Sequence, residues 1–237
     1  MYVTTFAGMA KIVSFFTAKG GAGKSTSTIL AAAALAQPPH SQRVFVADCD
    51  PQQSIIRRRL SDQQATGEVP PYTVQYLTLP EIQANIARLD TEHDLIFIDL
   101  PGRLDAQRPT DQQEITKFLM YVDRLFVPLV PGNFNVQATA DFLRTVRKMA
   151  DARQTTAAPL QIVCYLNMYE GGRTADDKLL ILEAQTLTTL AGVKLMATPL
   201  NRYAAYRSAD TYNTLYTTAD RTGANFCGWL DELKQHL

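Results

Sequence analysis

The stretch KIVSFFTAKGGAGKST, residues 11–26, places an apolar run, a glycine-rich turn and the start of a helical pattern next to one another. The run KIVSFFT (11–17) predicts a buried strand, and GKSTSTILAAAALAQ (23–37), rich in alanine and leucine, predicts a helix. A strand, a glycine loop and a helix that begins with Lys-Ser are the context of a phosphate-binding loop. The strict form of that motif has glycine at position 18, where this chain has alanine, and an additional lysine follows at position 19.

The residues of this loop suit the binding of a polyphosphate. Glycine permits backbone conformations and close approaches that a Cβ atom obstructs, and successive backbone N–H groups can then surround phosphate oxygens at a helix N-terminus. We expect Lys24 to reach the β- and γ-phosphates, Ser25 to offer its hydroxyl to Mg²⁺, and Thr26 to contact the α-phosphate. The predicted nucleotide-binding residues of the loop are Gly20, Gly21, Ala22, Gly23, Lys24, Ser25 and Thr26.

Composition is consistent with one α/β domain. The chain has 237 residues, of which 46% are hydrophobic, enough for a sizeable core. Lys+Arg and Asp+Glu number 23 each, so a nucleic acid or membrane partner would require a local basic patch or a dimer that concentrates charge. Three widely spaced cysteines indicate a reduced, cytoplasmic protein, and no apolar run approaches the roughly 18–20 residues of a membrane span.

Apolar runs alternate with helical patterns along the rest of the chain. The predicted strands after the first span residues 43–50, 72–79, 94–100, 123–131, 160–167 and 193–200. The predicted helices start near residue 52 and span 80–89, 136–152 and 176–190. This alternation predicts a doubly wound α/β fold, with a mainly parallel sheet covered by helices on both faces. We expect residues 1–9 to form an N-terminal extension and residues 10–237 a single domain.

The loop sequence KGGAGKST, residues 19–26, resembles the deviant Walker A signature of the ParA/MinD family of P-loop ATPases. That family has no need of glycine at the position of Ala18 and has a signature lysine at the position of Lys19. The resemblance implies ATP and Mg²⁺ as ligands and a homodimer that forms when ATP is bound. It also implies that Lys19 reaches the phosphates held by the partner subunit, where a second cation opposes the charge on the transferring phosphoryl group.

Two later strand ends resemble further motifs of this family. VFVADCDPQQS (44–54) resembles its second motif, which implies that Asp50 positions or activates the hydrolytic water and that Asp48 lies near the magnesium. DLIFIDLPG (94–102) resembles a Walker B strand, which implies that Asp99 holds Mg²⁺ through water and that Gly102 lies near the γ-phosphate. The predicted catalytic residues are therefore Lys19, Lys24 and Asp50. The predicted metal-binding residues are Ser25, Asp48 and Asp99.

The resemblance weakens toward the C-terminus. Asn167 matches a family position that can contact adenine, and TPLNRYAAYRSA (198–209) resembles a segment that contributes to the adenine pocket and, nearby, to DNA contact. This implies nucleotide contacts from Asn167, Pro199 and Arg202. The family often has proline at the position of Asn201, so the alignment can differ by one residue here.

The overall resemblance is to the short, single-domain ParA type. It implies an ATP-bound dimer that binds DNA without sequence preference, and a ParB-like centromere-binding or adaptor protein that stimulates slow hydrolysis. Such a protein segregates or positions DNA or another cargo, and is cytoplasmic and associated with the nucleoid when ATP is bound. The candidate DNA contacts are Arg144, Arg147, Lys148, Lys194, Arg202 and Arg207. The arginine run at 57–59 could equally serve the dimer interface or the partner.

A MinD-like ATPase that acts on membranes is the alternative. The C-terminal tail carries a row of apolar residues on one helical face, namely Phe226, Trp229, Leu230, Leu233 and Leu237. Its opposite face mixes acids and bases, whereas helices that bind membrane surfaces are rich in Lys and Arg. We therefore expect the tail to pack onto the sheet and expect no stable membrane anchor. An iron–sulfur relative would need cysteines near residue 99, and none lies between Cys49 and Cys164.

Overall fold

A parallel sheet forms the centre of the computed structural model, which describes residues 10–17, 20–102, 109–131, 136–153 and 159–237. Its strands are β1 (Lys11–Phe15), β2 (Val44–Asp48), β3 (Thr73–Tyr76), β4 (Leu95–Asp99), β5 (Arg124–Leu129), β6 (Gln161–Tyr169), β7 (Lys194–Leu195) and β8 (Leu200–Asn201). Within these residues the strand order is β3-β2-β4-β1-β5-β6-β7, β8 pairs with β6, and all pairs are parallel. The predicted fold class is confirmed.

Helices cover both faces of this sheet. They are α1 (Lys24–Ala36), α2 (Ser54–Thr66), α3 (Leu79–Glu92), α4 (Pro109–Leu119), α5 (Val136–Arg153), α6 (Ala175–Ala191), α7 (Ala204–Ser208) and α8 (Arg221–Gln235). Side chains from α1, α2, α7 and α8 pack in one apolar cluster, and side chains from α3 to α6 pack in the other. Strand β1 contributes to both clusters, because alternate side chains of a strand point to opposite faces. Val13 and Phe15 enter the first cluster, whereas Ile12, together with Phe16 just after the strand, enters the second.

Strand β1 lies in the middle of the sheet, between β4 and β5. The chain continues from β1 to β2 on one side, whereas β5, β6 and β7 fill the other side. In open α/β sheets, ligands bind outside the carboxyl ends of the strands where the connections diverge in this way. The fold therefore puts the glycine loop, which follows β1 directly, at the place where such a crevice forms.

Three element predictions differ from the structure. The predicted strand at 193–200 is wrong as one strand, since β7 and β8 are separated by residues 196–199. The backbone N–H groups of Ala197 and Thr198 donate to the Glu232 carboxylate at 2.7 Å, and Pro199 has no N–H to give to a neighbouring strand. The strand predicted at 72–79 ends at Tyr76, because α3 begins at Leu79, and α4 and α7 were not among the predicted helices.

The C-terminal helix packs onto the sheet, as predicted. The side chains of Phe226, Trp229, Leu230 and Leu233 are fully buried. The ring centroid of Trp229 lies 6.0 Å from that of Phe15 in β1 and 5.6 Å from that of Tyr165 in β6. Among the described residues, no helix is both long enough and apolar enough to cross a membrane.

Trp229→Ala is expected to lower the free energy of unfolding by about 3–5 kcal/mol, because truncating a buried Trp removes its apolar contacts and leaves a cavity. Urea unfolding followed by circular dichroism measures the change. Leu190→Ala is the matched control, since Leu190 is 67% exposed and its truncation should change stability by less than about 0.5 kcal/mol. Equal stability of the Trp229 variant and the wild type would contradict the packing of α8.

Candidate functional site

A cavity of about 650 Å³ opens at the carboxyl end of β1. The glycine loop from Gly20 to Thr26 lines it, so the structure brings together all seven predicted loop residues. The remaining lining residues come from the ends of β2, β4, β6 and α7, namely Asp50, Gln52, Leu100, Gly102, Met168 and Arg207. Lys19 and residues 1–9 lie outside the described residues.

The loop ends at a helix N-terminus that no side chain of the described residues caps. Gly23 precedes α1 with a φ of 83°, a left-handed conformation that favours glycine, and a Cβ atom there would lie 2.5 Å from the Asn167 side-chain nitrogen. Helix α1 has no capping side-chain hydrogen bond and no acidic residue in its first turn. The positive end of its dipole therefore favours an anion in the cavity that its first residues line.

Lys24 is buried at the floor of the cavity, with 6% of its surface exposed. Its ammonium lies 5.9 Å from the centre of the Phe16 ring, and a Cβ atom on Gly102 would come within 3.0 Å of its Nζ. Burial lowers the pKa of Lys24, while the charges of Asp99 and Asp50 act in the opposite direction. A polyphosphate in the cavity would compensate the cost of burying this cation.

Ser25 and Asp99 form the pair that fits a magnesium ion. The Ser25 hydroxyl donates to Asp99 Oδ2 at 2.6 Å, while Asp99 Oδ1 is buried and accepts no hydrogen bond from the described residues. Burial raises the pKa of Asp99 to about 7. A hydroxyl and a carboxylate beside bound phosphates are oxygen ligands that Mg²⁺ accepts, directly or through water. A cation there would also stabilise the ionised form of Asp99 and satisfy its free oxygen.

Asp48 supports the neighbouring loop. Its Oδ2 accepts the N–H groups of Ile55 and Ile56 at 3.0 and 3.1 Å, and its Oδ1 accepts the Asp50 N–H at 3.2 Å. Burial raises the pKa of Asp48, although these three donors oppose the shift. The carboxylate therefore holds the start of α2 and the loop that carries Asp50. Its role toward the metal stays a prediction.

Asp50 lies on the cavity wall and is half-buried. Its Oδ1 accepts the Gln52 N–H at 2.8 Å. Strand β2 ends at Asp48, so the alternation of side chains along a strand does not extend to Asp50. The two acids thus have different surroundings: Asp48 is bonded to backbone N–H groups, whereas Asp50 lines the cavity.

Asn167 lies beneath the glycine loop. Its Nδ2 donates to the Ala22 carbonyl oxygen at 2.8 Å, and its Oδ1 accepts the Met168 N–H at 2.9 Å. An irregularity in the pairing of β6 with β8 occurs here, where Met168 has a φ of 56°, and such bulges redirect side chains. Asn167 is only 4% exposed, and these contacts favour a role in holding the loop. Contact with adenine remains a prediction.

The other predicted nucleotide contacts lie near β8. The Pro199 carbonyl oxygen accepts Asn225 Nδ2 at 2.9 Å, so α8 holds this segment. Arg202 pairs with Glu170 at 2.9 Å on the surface. Neither residue lines the cavity, and their nucleotide contacts also stay predictions. Sequence reasoning missed Gln52, Leu100 and Met168 as lining residues. Gln52 and Leu100 belong to stretches already quoted, VFVADCDPQQS (44–54) and DLIFIDLPG (94–102), whereas no sequence signal singled out Met168.

The six candidate DNA contacts lie in three places. Arg147 donates to the Gly192 carbonyl oxygen, which places α5 beside the start of β7, where Lys194 pairs with Val163 of β6. Asn201, next to Arg202, pairs with Tyr169 at the far end of β6, about 20 Å away along the strand. Arg144, Arg147, Lys148 and Lys194 therefore lie on one region of the surface and Arg202 on another. Arg207 lines the cavity.

Asp99→Asn is expected to reduce the dependence of stability on pH. Folding raises the pKa of Asp99 from 3.8 to about 7, so at pH values between these two the unfolded chain has lost the proton that the folded chain keeps. The free energy of unfolding therefore falls as the pH rises through this range. Urea unfolding is measured without metal or nucleotide. Between pH 5 and pH 8, the free energy of unfolding should fall by about 3 kcal/mol more in the wild type than in the variant. The control is Asp176→Asn, on the surface of α6, and identical pH profiles for wild type and Asp99→Asn would refute the prediction.

Comparison with known proteins places this site in a family. Residues 13–216 match the model of the CobQ/CobB/MinD/ParA nucleotide-binding domain. No curated protein matches the sequence. Cobyrinic acid a,c-diamide synthase from Mycobacterium smegmatis, solved with ADP and magnesium, has a similar fold at 18% identity and a TM-score of 0.66, over 96% of this chain and 95% of that one.

Two further solved structures share the fold. The MinD cell division protein of Aquifex aeolicus is 12% identical, with a TM-score of 0.65 over 96% of this chain and 98% of that one. An McdA–ATP complex from Cyanothece is 14% identical, with a TM-score of 0.64 over 96% and 97%. At these identities the structures show a common fold. With the family match over most of its length, the chain belongs to the CobQ/CobB/MinD/ParA nucleotide-binding family.

Proposed function

We propose that this protein is an ATPase of the ParA type, which dimerises on binding Mg-ATP, binds DNA without sequence preference and hydrolyses ATP slowly to segregate or position DNA or another cargo. The observation that carries the nucleotide assignment is the cavity at the end of β1, where the start of α1, buried Lys24 and the Ser25–Asp99 pair come together. Family membership supports the same assignment.

In this proposal each group of the cavity has a separate task. The N–H groups of the loop and of α1 receive the phosphate oxygens, Lys24 contacts the β- and γ-phosphates, and Thr26 contacts the α-phosphate. Ser25 and Asp99 would hold Mg²⁺, which would neutralise charge developing on the phosphate oxygens. Gly102 permits the β4 end to approach Lys24, so its backbone would lie near the γ-phosphate.

Asp50 is the residue that we assign to the attacking water. It is the carboxylate on the cavity wall, and the Gln52 N–H on one oxygen fixes its orientation. Asp48 is a positioning residue, because it accepts the N–H groups of Asp50, Ile55 and Ile56 and so holds the loop that carries Asp50. A carboxylate placed in this way orients water and accepts its proton as the new bond to phosphorus forms.

Dimerisation and a second cation complete the proposed cycle. We propose that Lys19 contacts the phosphates bound by the partner subunit, as the family resemblance implies. The γ-phosphate would then link two subunits, and its removal would weaken the dimer. A ParB-like or adaptor protein that stimulates hydrolysis is the proposed regulator.

The basic residues on α5 and β7 are the proposed DNA contacts. Arg144 pairs with Asp141 and Arg147 with Asp151, but these side chains are about half exposed, and such surface pairs contribute little to stability. They can therefore exchange a carboxylate for a DNA phosphate at small cost. A dimer would present the group twice, and electrostatic DNA affinity rises steeply with the number of contacts.

The MinD-like alternative depended on a tail free to bind membranes. Helix α8 instead buries its apolar face against β1 and β6. Releasing that face would expose Phe226, Trp229, Leu230 and Leu233, at a cost that membrane binding would have to repay. We therefore favour DNA as the surface on which the protein acts.

A gel-shift with non-specific duplex DNA tests the proposal, with ATP or ADP and across a salt series. We expect binding with ATP only, and affinity that falls steeply as salt rises. Arg147→Ala combined with Lys148→Ala should weaken binding and flatten the salt dependence, whereas Arg88→Ala, an exposed arginine on α3, should leave both unchanged. ATP-dependent binding to liposomes without affinity for DNA would favour the alternative.

A further inference from the structure

We propose that Arg207 is a nucleotide-binding residue that donates to the polyphosphate, and that Arg58 holds it in position. This inference rests on the proposed function and adds to it a contact from the chain's late segment. The family resemblance placed Arg207 among the DNA contacts. In the structure, however, it shares one cavity with the phosphate loop, Asp50 and Gln52.

Arg207 is an exposed cation at the rim of this cavity. Arg202, five residues earlier, pairs with Glu170, and Arg58 pairs with Asp62. In contrast, the side chain of Arg207 makes no ion pair or hydrogen bond with any described residue. A guanidinium has donors only and keeps its charge in proteins, so an anion that enters the cavity can accept the hydrogen bonds that no described residue accepts.

The segment around Arg207 is attached to α2 by a second arginine. Arg58 Nη2 donates to the carbonyl oxygen of Ser208, the residue after Arg207, at 2.8 Å. Its Nε donates to Asp62 Oδ1 at 2.9 Å. The other oxygen of Asp62 accepts the backbone N–H and the hydroxyl of Thr211 at 2.8 and 2.9 Å. One helix therefore holds the chain on both sides of residues 209 and 210.

A third arginine makes this attachment rigid. Arg59 is 6% exposed and lies between two rings, with its guanidinium carbon 4.3 Å from the centre of Tyr72 and 5.3 Å from that of Tyr212. It donates to the Thr211 hydroxyl at 2.8 Å and to the Tyr72 carbonyl oxygen at 2.6 Å. A buried polar network whose groups are satisfied specifies one arrangement of its elements.

Helix α2 therefore connects two parts of the cavity wall. Its N-terminus is held by Asp48, directly after the loop with Asp50 and Gln52, and its middle holds the segment that follows Arg207. The sequence left the role of the arginine run at 57–59 open between a dimer interface and a partner site. In the structure, two of these arginines, Arg58 and Arg59, make contacts within the chain. The arrangement places Arg207 in the same cavity as Lys24 and the glycine loop, where one anion could contact all three.

The test measures the affinity for Mg-ATP and for inorganic tripolyphosphate, each by competition with a fluorescent ATP analogue. Arg207→Ala should weaken both ligands by the same factor, about 10-fold or more, since a hydrogen bond to a charged group contributes about 1.5–3 kcal/mol. Arg88→Ala is the control and should bind as the wild type does. An unchanged affinity for tripolyphosphate in Arg207→Ala would overturn the proposal, whether or not ATP binding weakens.

A double-mutant cycle tests the positioning role of Arg58. Arg58→Ala should weaken ATP binding in the wild-type background and have no further effect when Arg207→Ala is already present. Equal effects in both backgrounds would overturn it, because Arg58 would then act independently of Arg207. Thermal unfolding confirms that each variant is folded. If the wild-type chain binds neither ATP nor tripolyphosphate, the proposed function itself fails, which is a different result from normal binding by Arg207→Ala.

Discussion

Replacing Lys24 with alanine is expected to weaken Mg-ATP binding by about 30-fold or more and to abolish turnover. Lys24 is 6% exposed at the floor of the cavity, so a phosphate that meets it has already lost much of its water. Removing one partner of a buried charge pair costs about 2–5 kcal/mol. Titration of a fluorescent ATP analogue and a phosphate-release assay measure the two effects.

The variant should remain folded, because burial already lowers the pKa of Lys24 and its charge is therefore a cost to the free protein. Lys178→Ala provides the control, since this lysine is exposed on α6 and away from the cavity. An affinity and a turnover rate equal to those of the wild type would show that the glycine loop does not bind the phosphates.

Asp50→Asn is expected to preserve Mg-ATP binding and to lower the hydrolysis rate by about 100-fold or more. Asparagine keeps the oxygen that accepts the Gln52 N–H, but it cannot take a proton from water. Removal of a general base typically costs 10²–10⁴ in rate. Single-turnover hydrolysis separates this step from binding, and size-exclusion chromatography with ATP should still show dimers.

The matched variant is Asp176→Asn, which removes an exposed carboxylate from the first turn of α6. It should leave hydrolysis unchanged. Wild-type turnover in Asp50→Asn would remove Asp50 from the chemical step, and a large loss of ATP affinity would instead assign it to binding. The two outcomes are distinguishable because affinity and rate are measured separately.

The sequence by itself determined the fold class and the centre of the site. Buried strands and amphipathic helices have distinct residue patterns, and a phosphate loop is a continuous segment, so residues 20–26 carry both their identity and their geometry. The acids Asp48 and Asp99 were also recognisable, because each follows an apolar run directly, although the predicted strands extended past both of them. The burial of the C-terminal helix followed from the charge on its opposite face.

Tertiary structure alone decided what depends on residues far apart in the chain. Asn167 meets Ala22, Arg58 meets Ser208 and Glu232 meets Thr198, and no local pattern encodes such pairs. These contacts divide the strand predicted at 193–200, place Asn167 beneath the loop and bring Arg207 to the cavity. A backbone N–H bonds to whichever acceptor the fold brings near, and a surface arginine pairs with whichever anion lies beside it. Only the packed chain therefore determines the acceptor of the one and the partner of the other.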